Sequence, residues 1–129
     1  LERTLGGWQG GEPGERAPRT KAAAERQAGV IYAVDKPGAV QSVLRVGRTW
    51  GGRADSDYFA TLVGNRILGA DFLSRLNQNL REKNGYTYGA FSTFDWRDAG
   101  SVWLASTSVR ADATGPALKE LLGELDGLA

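Results

Sequence analysis

The sequence has no histidine and no cysteine among its 129 residues. Imidazole nitrogen and thiolate sulfur are the usual protein ligands of zinc, so these absences exclude an ordinary zinc site from this chain. They also exclude a disulfide framework, and they leave every serine without a histidine to act as its base. The chain by itself is therefore not expected to catalyse zinc-dependent or serine-dependent hydrolysis.

The sequence also lacks an excess of charge of one sign and lacks long apolar runs. Sixteen basic and fifteen acidic residues give a formal net charge of +1, which points to neither nucleic acid nor an anionic membrane. No apolar run approaches the ~20 residues that a transmembrane helix needs. The arginines Arg45, Arg48, Arg53 and Arg66 are scattered without an aromatic stacking motif, which argues against a nucleic-acid site.

Carboxylates remain as possible metal ligands, because they alone can hold magnesium or calcium. The run Asp55-Ser56-Asp57 superficially resembles such a site. It lacks the glycine and the distal glutamate of a calcium loop, so helix capping by Asp55 or Ser56 is the better interpretation. No metal site is predicted in this chain.

What is present is the composition of a soluble globular domain. Hydrophobic residues make up 41% and charged residues 24% of the chain, and its length suffices for one domain with a core. No signal peptide is visible, but the sequence begins at Leu1 without a methionine, so we expect a fragment of a longer protein. The compartment, bacterial cytoplasm or periplasm, stays open.

Alternation with a period of two predicts four strands, over residues 30–35, 39–46, 86–94 and 101–110. The turn signal Lys36-Pro37-Gly38 joins the first two strands into a hairpin. The last two are expected to pair antiparallel. Residues 47–54, which include Trp50, are interpreted as a loop.

Spacing near 3.6 residues predicts three helices. The first begins after the Asp55-Ser56 cap, the second spans residues 71–84 and ends at Asn84-Gly85, and the third begins near Thr114. Their expected apolar faces are Phe59, Leu62, Val63 and Ile67; Phe72, Leu73, Leu76 and Leu80; and Leu118, Leu121, Leu122, Leu125 and Leu128.

The predicted element order is therefore ββααββα. Its simplest architecture is an α+β fold: a mainly antiparallel four-stranded sheet with helices packed on one face. Residues 28–129 form the predicted domain. Residues 1–27 mix charge, proline and alanine and are interpreted as a linker between domains, with a disordered terminus as the alternative.

The stretch LNQNLREKNGYTYGAFSTF, residues 76–94, resembles the C-terminal domains of the insulinase/pitrilysin metallopeptidases, most closely small bacterial members related to mitochondrial processing peptidase. The resemblance extends over DKPGAVQSVLRVG, DYFATLVGNRILGADFLSRL and the last helix. It implies a non-catalytic domain built as a sandwich of sheet and helices. It also implies that zinc, held by an H-x-x-E-H motif absent here, lies in a partner domain or subunit.

The resemblance also implies a substrate-binding pair. In that family an Arg, and a Tyr seven residues later, help bind the peptide substrate, and these positions fall on Arg81 and Tyr88. Tyr86 is the nearest competitor to Tyr88. Arg81 in the last helical turn and Tyr88 early in the strand are predicted to face one crevice. The structural alternatives are a cation stabilising a helix C-terminus and a ring packed at a sheet edge.

Two functions follow as expectations. The first is a non-catalytic, substrate-binding domain of a zinc peptidase, which would contact both a peptide and a zinc-bearing domain or subunit. The alternative is a non-enzymatic scaffold or interaction domain with the same fold. An H-x-x-E-H motif upstream in the full gene, or in a neighbouring gene, would favour the first.

Overall fold

The computed structural model of the chain describes residues 2–7, 11, 29–97 and 100–128. Three strands form one antiparallel sheet in the order β1-β3-β2, so β3 is central. The strands are β1 (Gln41–Trp50), β2 (Thr87–Asp95) and β3 (Ser101–Arg110). Most of the predicted linker, residues 1–27, lies outside the described residues.

The helices are α1 (Glu2–Leu5), α2 (Tyr58–Leu68), α3 (Arg75–Asn77) and α4 (Thr114–Asp126). Helix α3 continues directly into a π-helical stretch, Gln78–Lys83, and a 3₁₀ turn, Ala111–Ala113, precedes α4. The mixture of helices with an antiparallel sheet confirms the predicted α+β class. None of these helices, among the described residues, is long and apolar enough to span a membrane.

Strand β3 shows which face of the sheet is covered. Its residues alternate between buried and more exposed along the whole strand, as a period of two requires. The buried set packs with leucines of the helical layer, so the helices cover one face, as predicted. The main core residues are Leu76, Leu80, Ala90, Trp103, Ala105, Val109, Ala117 and Leu121.

The structure does not confirm a fourth strand. Residues 30–35 belong to no strand, and their large apolar side chains are exposed. The predicted turn does form, because the Ala39 N–H donates to the Lys36 carbonyl at 3.1 Å and Gly38 has a φ of 75°. Pro37 followed by a glycine at positive φ is a type II turn, whose twist splays the two flanking strands. A hairpin therefore does not follow from this turn.

Strand β1 is also longer than predicted. It continues through Trp50, so the supposed loop at residues 47–50 is strand. Gly47 does not end it, because Gly47 pairs with Leu104 of β3 within an unbroken register. An unbroken ladder on a neighbouring strand outweighs the weak strand preference of one glycine.

The second helix begins later than predicted. Gly69 and Ala70 end α2, and the carboxylate of Asp71 then accepts the backbone N–H of Leu73 at 3.1 Å. This local bond holds residues 71–74 in a turn, since aspartate competes with helical hydrogen bonding in this way. Phe72 and Leu73 are consequently exposed, whereas Leu76 and Leu80 are fully buried as predicted.

Candidate functional site

The junction between α3 and β2 is built by an unusual helix end. Three backbone hydrogen bonds close the end of the π-helical stretch. The one that spans the most residues is donated by the Tyr86 N–H to the Leu80 carbonyl at 2.9 Å. Gly85, with a φ of 62°, makes the reversal that lets the chain enter β2. The Asn84 amide reinforces the end by donating to the Asn79 carbonyl at 3.0 Å. π-Helical turns are rare and occur frequently at functional sites, so this junction is the natural candidate.

Arg81 lies in the last turn of this stretch and is two-thirds buried. Its guanidinium carbon lies 4.4 Å from the centroid of the Phe72 ring, a cation–π contact. Its Nε lies 3.6 Å from the Glu82 carboxylate. Its Nη1 is buried and has no hydrogen-bond partner among the described residues. A buried donor without an acceptor is costly, so Nη1 has hydrogen-bonding capacity that the described residues do not meet.

Tyr88 lies at a β-bulge. Thr87 pairs with Val109 and Ala90 with Thr107, so Tyr88 and Gly89 together oppose a single residue of β3. The bulge leaves the Tyr88 side chain 93% exposed. It lines an open depression of about 290 Å³ together with Gln41 and Phe91 on the sheet face that the helices leave uncovered.

Tyr86 behaves differently from Tyr88. It is half-buried and packs against the core, and its carbonyl accepts the Arg110 N–H at 3.2 Å. Tyr86 precedes β2, whereas Tyr88 lies within the bulge, and the two tyrosines that continuous alternation would have placed on one face differ in burial. No hydrogen bond or ring contact joins Arg81 to Tyr88 within the described ranges. The depression that Tyr88 lines does not include Arg81, and a single crevice shared by this pair stays a prediction.

Possible metal ligands are not clustered among the described residues. No group of three His, Cys, Asp or Glu side chains lies close enough together in this part of the chain to hold an ion. The charged pair Arg97 and Asp95 lies exposed at the end of β2, where the hydrogen bond and the charge of Asp95 raise the pKa of the Arg97 guanidinium. This pair lies apart from the helix–strand junction and has no role in the candidate site.

A buried polar cluster escaped the sequence analysis. The Asn65 side-chain oxygen accepts the Trp103 indole N–H at 2.8 Å and the Ser92 hydroxyl at 2.7 Å. The Asn65 amide nitrogen donates to the Ser92 carbonyl at 3.3 Å. The cluster fixes α2 on the sheet through β2 and β3. The only signal in the sequence was a polar residue, Asn65, among the apolar residues of a predicted helix.

The sequence analysis also missed an aromatic row with an arginine at each end. Trp50, Phe94, Trp96 and Tyr58 follow one another with ring centroids 4.5–5.5 Å apart. The Arg48 guanidinium carbon lies 4.5 Å from the Trp50 ring centroid, and that of Arg53 lies 5.8 Å from the Tyr58 ring centroid. The sequence showed these arginines as scattered and without a stacking motif, and the fold brings Arg48 and Arg53 onto aromatic rings. The i, i+2 spacing of Arg48 and Trp50 on one strand face could have indicated the first contact.

Beside this row lies an apolar cavity of about 370 Å³. Its walls come from β1, from α2 and from the end of α4, and its floor includes Trp103. Leu125 of α4 and Leu128, in the turn after α4, also line the cavity. The size and the apolar, aromatic lining are typical of pockets that take an apolar group.

Known proteins resemble this chain in both sequence and fold. A family model described as "Peptidase M16 inactive domain" matches residues 1–129. A peptidase M16 inactive domain from Pseudomonas fluorescens, solved by crystallography, shares 32% identity and a TM-score of 0.66 over 69% of this chain and 22% of its own. A conserved protein from Enterococcus faecalis V583 shares 29% identity and a TM-score of 0.56 over 68% of this chain and 20% of its own. No curated protein matches the sequence.

The matched region spans about a fifth of each of these solved chains. The family model, by contrast, covers every residue of the sequence, including the stretch over residues 76–94 that carries the resemblance described above. An inactive domain of a peptidase family needs no zinc ligands of its own, and the sequence holds neither histidine nor cysteine. The resemblance to insulinase/pitrilysin-type metallopeptidases is therefore confirmed, and the chain belongs to the family of the peptidase M16 inactive domain.

Proposed function

We propose that this domain binds peptide substrate for a zinc-bearing catalytic domain or subunit, and that Arg81 and Tyr88 contact the peptide. Membership of an inactive-domain family implies a catalytic partner. Since the sequence holds neither histidine nor cysteine, the zinc of such an enzyme would be bound by that partner. The reaction would take place at the partner, and this chain would hold the substrate.

The observation that carries the proposal is the unmet hydrogen-bonding capacity of Arg81. Its buried Nη1 has no acceptor among the described residues, while the Phe72 ring fixes the guanidinium plane. A peptide carbonyl or carboxylate would supply the acceptor, and hydrogen bonds to a charged donor contribute about 1.5–3 kcal/mol. Tyr88 supports the proposal because its phenol is exposed and can donate to a carbonyl oxygen.

Arg81 and Tyr88 would contact different parts of one substrate. They share no contact, and Tyr88 lies on the uncovered face of the sheet. An extended peptide rises about 3.3 Å per residue, so a few residues can reach from one side chain to the other around the end of β2. Tyr86 packs against the core and is a weaker candidate than the sequence suggested.

The test is the activity of the assembled, zinc-bearing enzyme. Arg81→Ala and Tyr88→Phe should each lower kcat/KM roughly ten- to hundred-fold, while zinc content and the unfolding midpoint stay constant. Tyr86→Phe is the matched control and should leave kcat/KM unchanged. A loss confined to the control would move the site to Tyr86.

A second candidate is a scaffold or interaction domain without a substrate role. It is favoured by the exposed apolar side chains of α2, Phe59, Val63 and Ile67, which form a surface suited to another protein. Full activity in all three variants of the preceding experiment would favour this candidate. Replacing Val63 and Ile67 by serine should then weaken assembly with the partner and leave the substrate constants of any assembled enzyme unchanged.

A further inference from the structure

Asn84 and Gly85 form a dipeptide with a chemistry that the proposed function does not use. Asparagine is a thermolabile residue, because the backbone nitrogen of the following residue can attack its side-chain carbon Cγ. Glycine obstructs that attack least, since it has no side chain and restricts the backbone least. The sequence has four asparagines, Asn65, Asn77, Asn79 and Asn84, and only Asn84 precedes a glycine.

The Asn84 side chain ends a chain of hydrogen bonds that begins on α4. The Asn79 side-chain nitrogen donates to the carboxylates of Glu120 at 2.9 Å and Glu124 at 2.7 Å. Because carboxylates accept, this orientation leaves the Asn79 side-chain oxygen as an acceptor. The Asn84 side-chain nitrogen donates to that oxygen at 2.6 Å and to the Asn79 carbonyl at 3.0 Å. Both contacts need a donor at position 84, since both partners are oxygens.

The folded geometry keeps the two reacting groups of Asn84 and Gly85 apart. The Gly85 N–H donates to the Arg81 carbonyl at 3.0 Å, while the Asn84 amide is held by Asn79. Attack on Cγ closes a five-membered ring, for which the Asn84 Cβ and the Gly85 nitrogen must eclipse along the Cα–C bond. The ψ of −18° at Asn84 is far from that arrangement. The reaction therefore requires the end of the π-helical stretch to open locally.

We infer that Asn84 is a site of spontaneous deamidation, controlled by local opening of the π-helical end, and that its product disconnects this helix end from α4. In the opened segment the deprotonated Gly85 nitrogen attacks Cγ of Asn84, a cyclic succinimide forms and ammonia leaves. Water then opens the ring at either carbonyl and gives aspartate or isoaspartate.

The product no longer fits its surroundings. Its carboxylate has no proton to donate, so its oxygens would oppose the two Asn79 oxygens that the amide now bonds. The isoaspartate form also adds a carbon atom to the backbone beside Gly85. Both changes fall at the helix end that carries Arg81, whose carbonyl accepts the Gly85 N–H. The inference goes beyond the proposed function and does not depend on it.

The first experiment compares the full-length native protein with a synthetic peptide that covers residues 81–88. Both are incubated in one mildly alkaline buffer, and peptide mapping by mass spectrometry and chromatography measures aspartate and isoaspartate at position 84. The native protein should deamidate roughly tenfold or more slowly than the peptide, because only the opened fraction reacts. Guanidinium chloride should raise its rate to that of the peptide. Equal rates in native protein and peptide, or no deamidation at Asn84 in the unfolded protein, would overturn the inference.

The second experiment removes the side-chain acceptor. Asn79→Ala deletes the oxygen that holds the Asn84 amide and the link to α4, and should accelerate deamidation about two- to tenfold. Gln78→Ala is the matched control, since it shortens an exposed side chain one residue away, and it should leave the rate unchanged. Equal acceleration in both variants would show general weakening of the helix and overturn the role of the Asn79 bond. If Asn79→Ala does not fold, the comparison of native protein with peptide still decides the inference.

The third experiment tests the consequence of the modification. Asn84→Asp introduces the product's carboxylate directly and should accelerate hydrogen exchange of the Gly85 and Tyr86 amides roughly tenfold. Gln78→Glu adds the same charge to the exposed side of the same stretch and should leave this exchange within about twofold. Unchanged exchange in Asn84→Asp, or equal acceleration in both variants, would overturn the disconnection. None of these measurements uses catalysis, so their outcome is separate from that of the Arg81 and Tyr88 variants.

Discussion

Helix α2 and the helical stretch that follows it differ in how deeply their apolar residues are buried. Leu76 and Leu80, on the second, are 0% exposed. Phe59, Val63 and Ile67, on the first, are 77%, 62% and 54% exposed. Both segments carry apolar residues at helical spacing, so an apolar stripe alone does not show whether the sheet of this chain covers it. In one case the partner is the sheet of this chain, and in the other the described residues do not supply it.

The polar residues explain why α2 presents this side. Asn65 and Leu68 are its buried residues, and Asn65 bonds to both Trp103 and Ser92. A buried amide must be hydrogen-bonded, so the position of Asn65 selects the rotation of the helix about its axis. With that face against the sheet, the apolar stripe turns outward.

The largest expected effect is a difference in unfolding free energy between a leucine of the second segment and an isoleucine of α2. Leu80→Ala should lower the free energy of unfolding by about 2–5 kcal/mol, since it leaves a cavity in the core. Ile67→Ala in α2 should change it by no more than about 0.5 kcal/mol in the same chain. Urea denaturation followed by tryptophan fluorescence measures both. Equal losses would show that α2 is covered in solution and that the comparison fails.

A smaller effect tests whether Asn65 sets the orientation of α2. Asn65→Leu removes the acceptor of the Trp103 indole and the Ser92 hydroxyl and should cost about 1–3 kcal/mol of unfolding free energy. Thr61→Val, on the same helix, removes a hydroxyl that makes no hydrogen bond among the described residues, and should cost less than about 0.5 kcal/mol. An Asn65 variant as stable as the wild type would mean that leucine packing alone positions the helix.

The smallest effects concern one glycine in each segment, and they should have opposite signs. Gly85→Ala forces a side chain into the left-handed region at a φ of 62° and should cost about 1–2 kcal/mol. Gly64→Ala lies inside α2, where an added Cβ meets no atom within 4 Å, and should stabilise the chain by about 0.5–1 kcal/mol. Thermal unfolding of the two variants provides the measurement. Destabilisation by Gly64→Ala would indicate that another element closely approaches α2 in solution.

At the candidate site, local sequence signals predicted the helix end but not the arrangement of the strand that follows it. Asn84-Gly85 was expected to end a helix and begin a strand, and it does so, because only Gly85 accepts the backbone angle required there. The bulge at Tyr88 and Gly89 was not expected, since it depends on the register of β2 against β3. The extra residue sets Tyr88 off the face of Ala90 and Ser92, which continuous alternation would have made it share, whereas Tyr86 precedes β2 and packs against the core.

The sequence by itself determined the α+β class, the helix–strand junction at Gly85 and the absence of zinc ligands. These follow from local periodicity, from the freedom of one glycine and from the residue types present. Within the described residues, only the tertiary structure decided the sheet of three strands, the outward apolar face of α2 and the bulge at Tyr88. Each of these features depends on contacts between segments that are far apart in sequence. A periodic pattern records that a face is apolar, whereas long-range packing and hydrogen bonding determine what covers it.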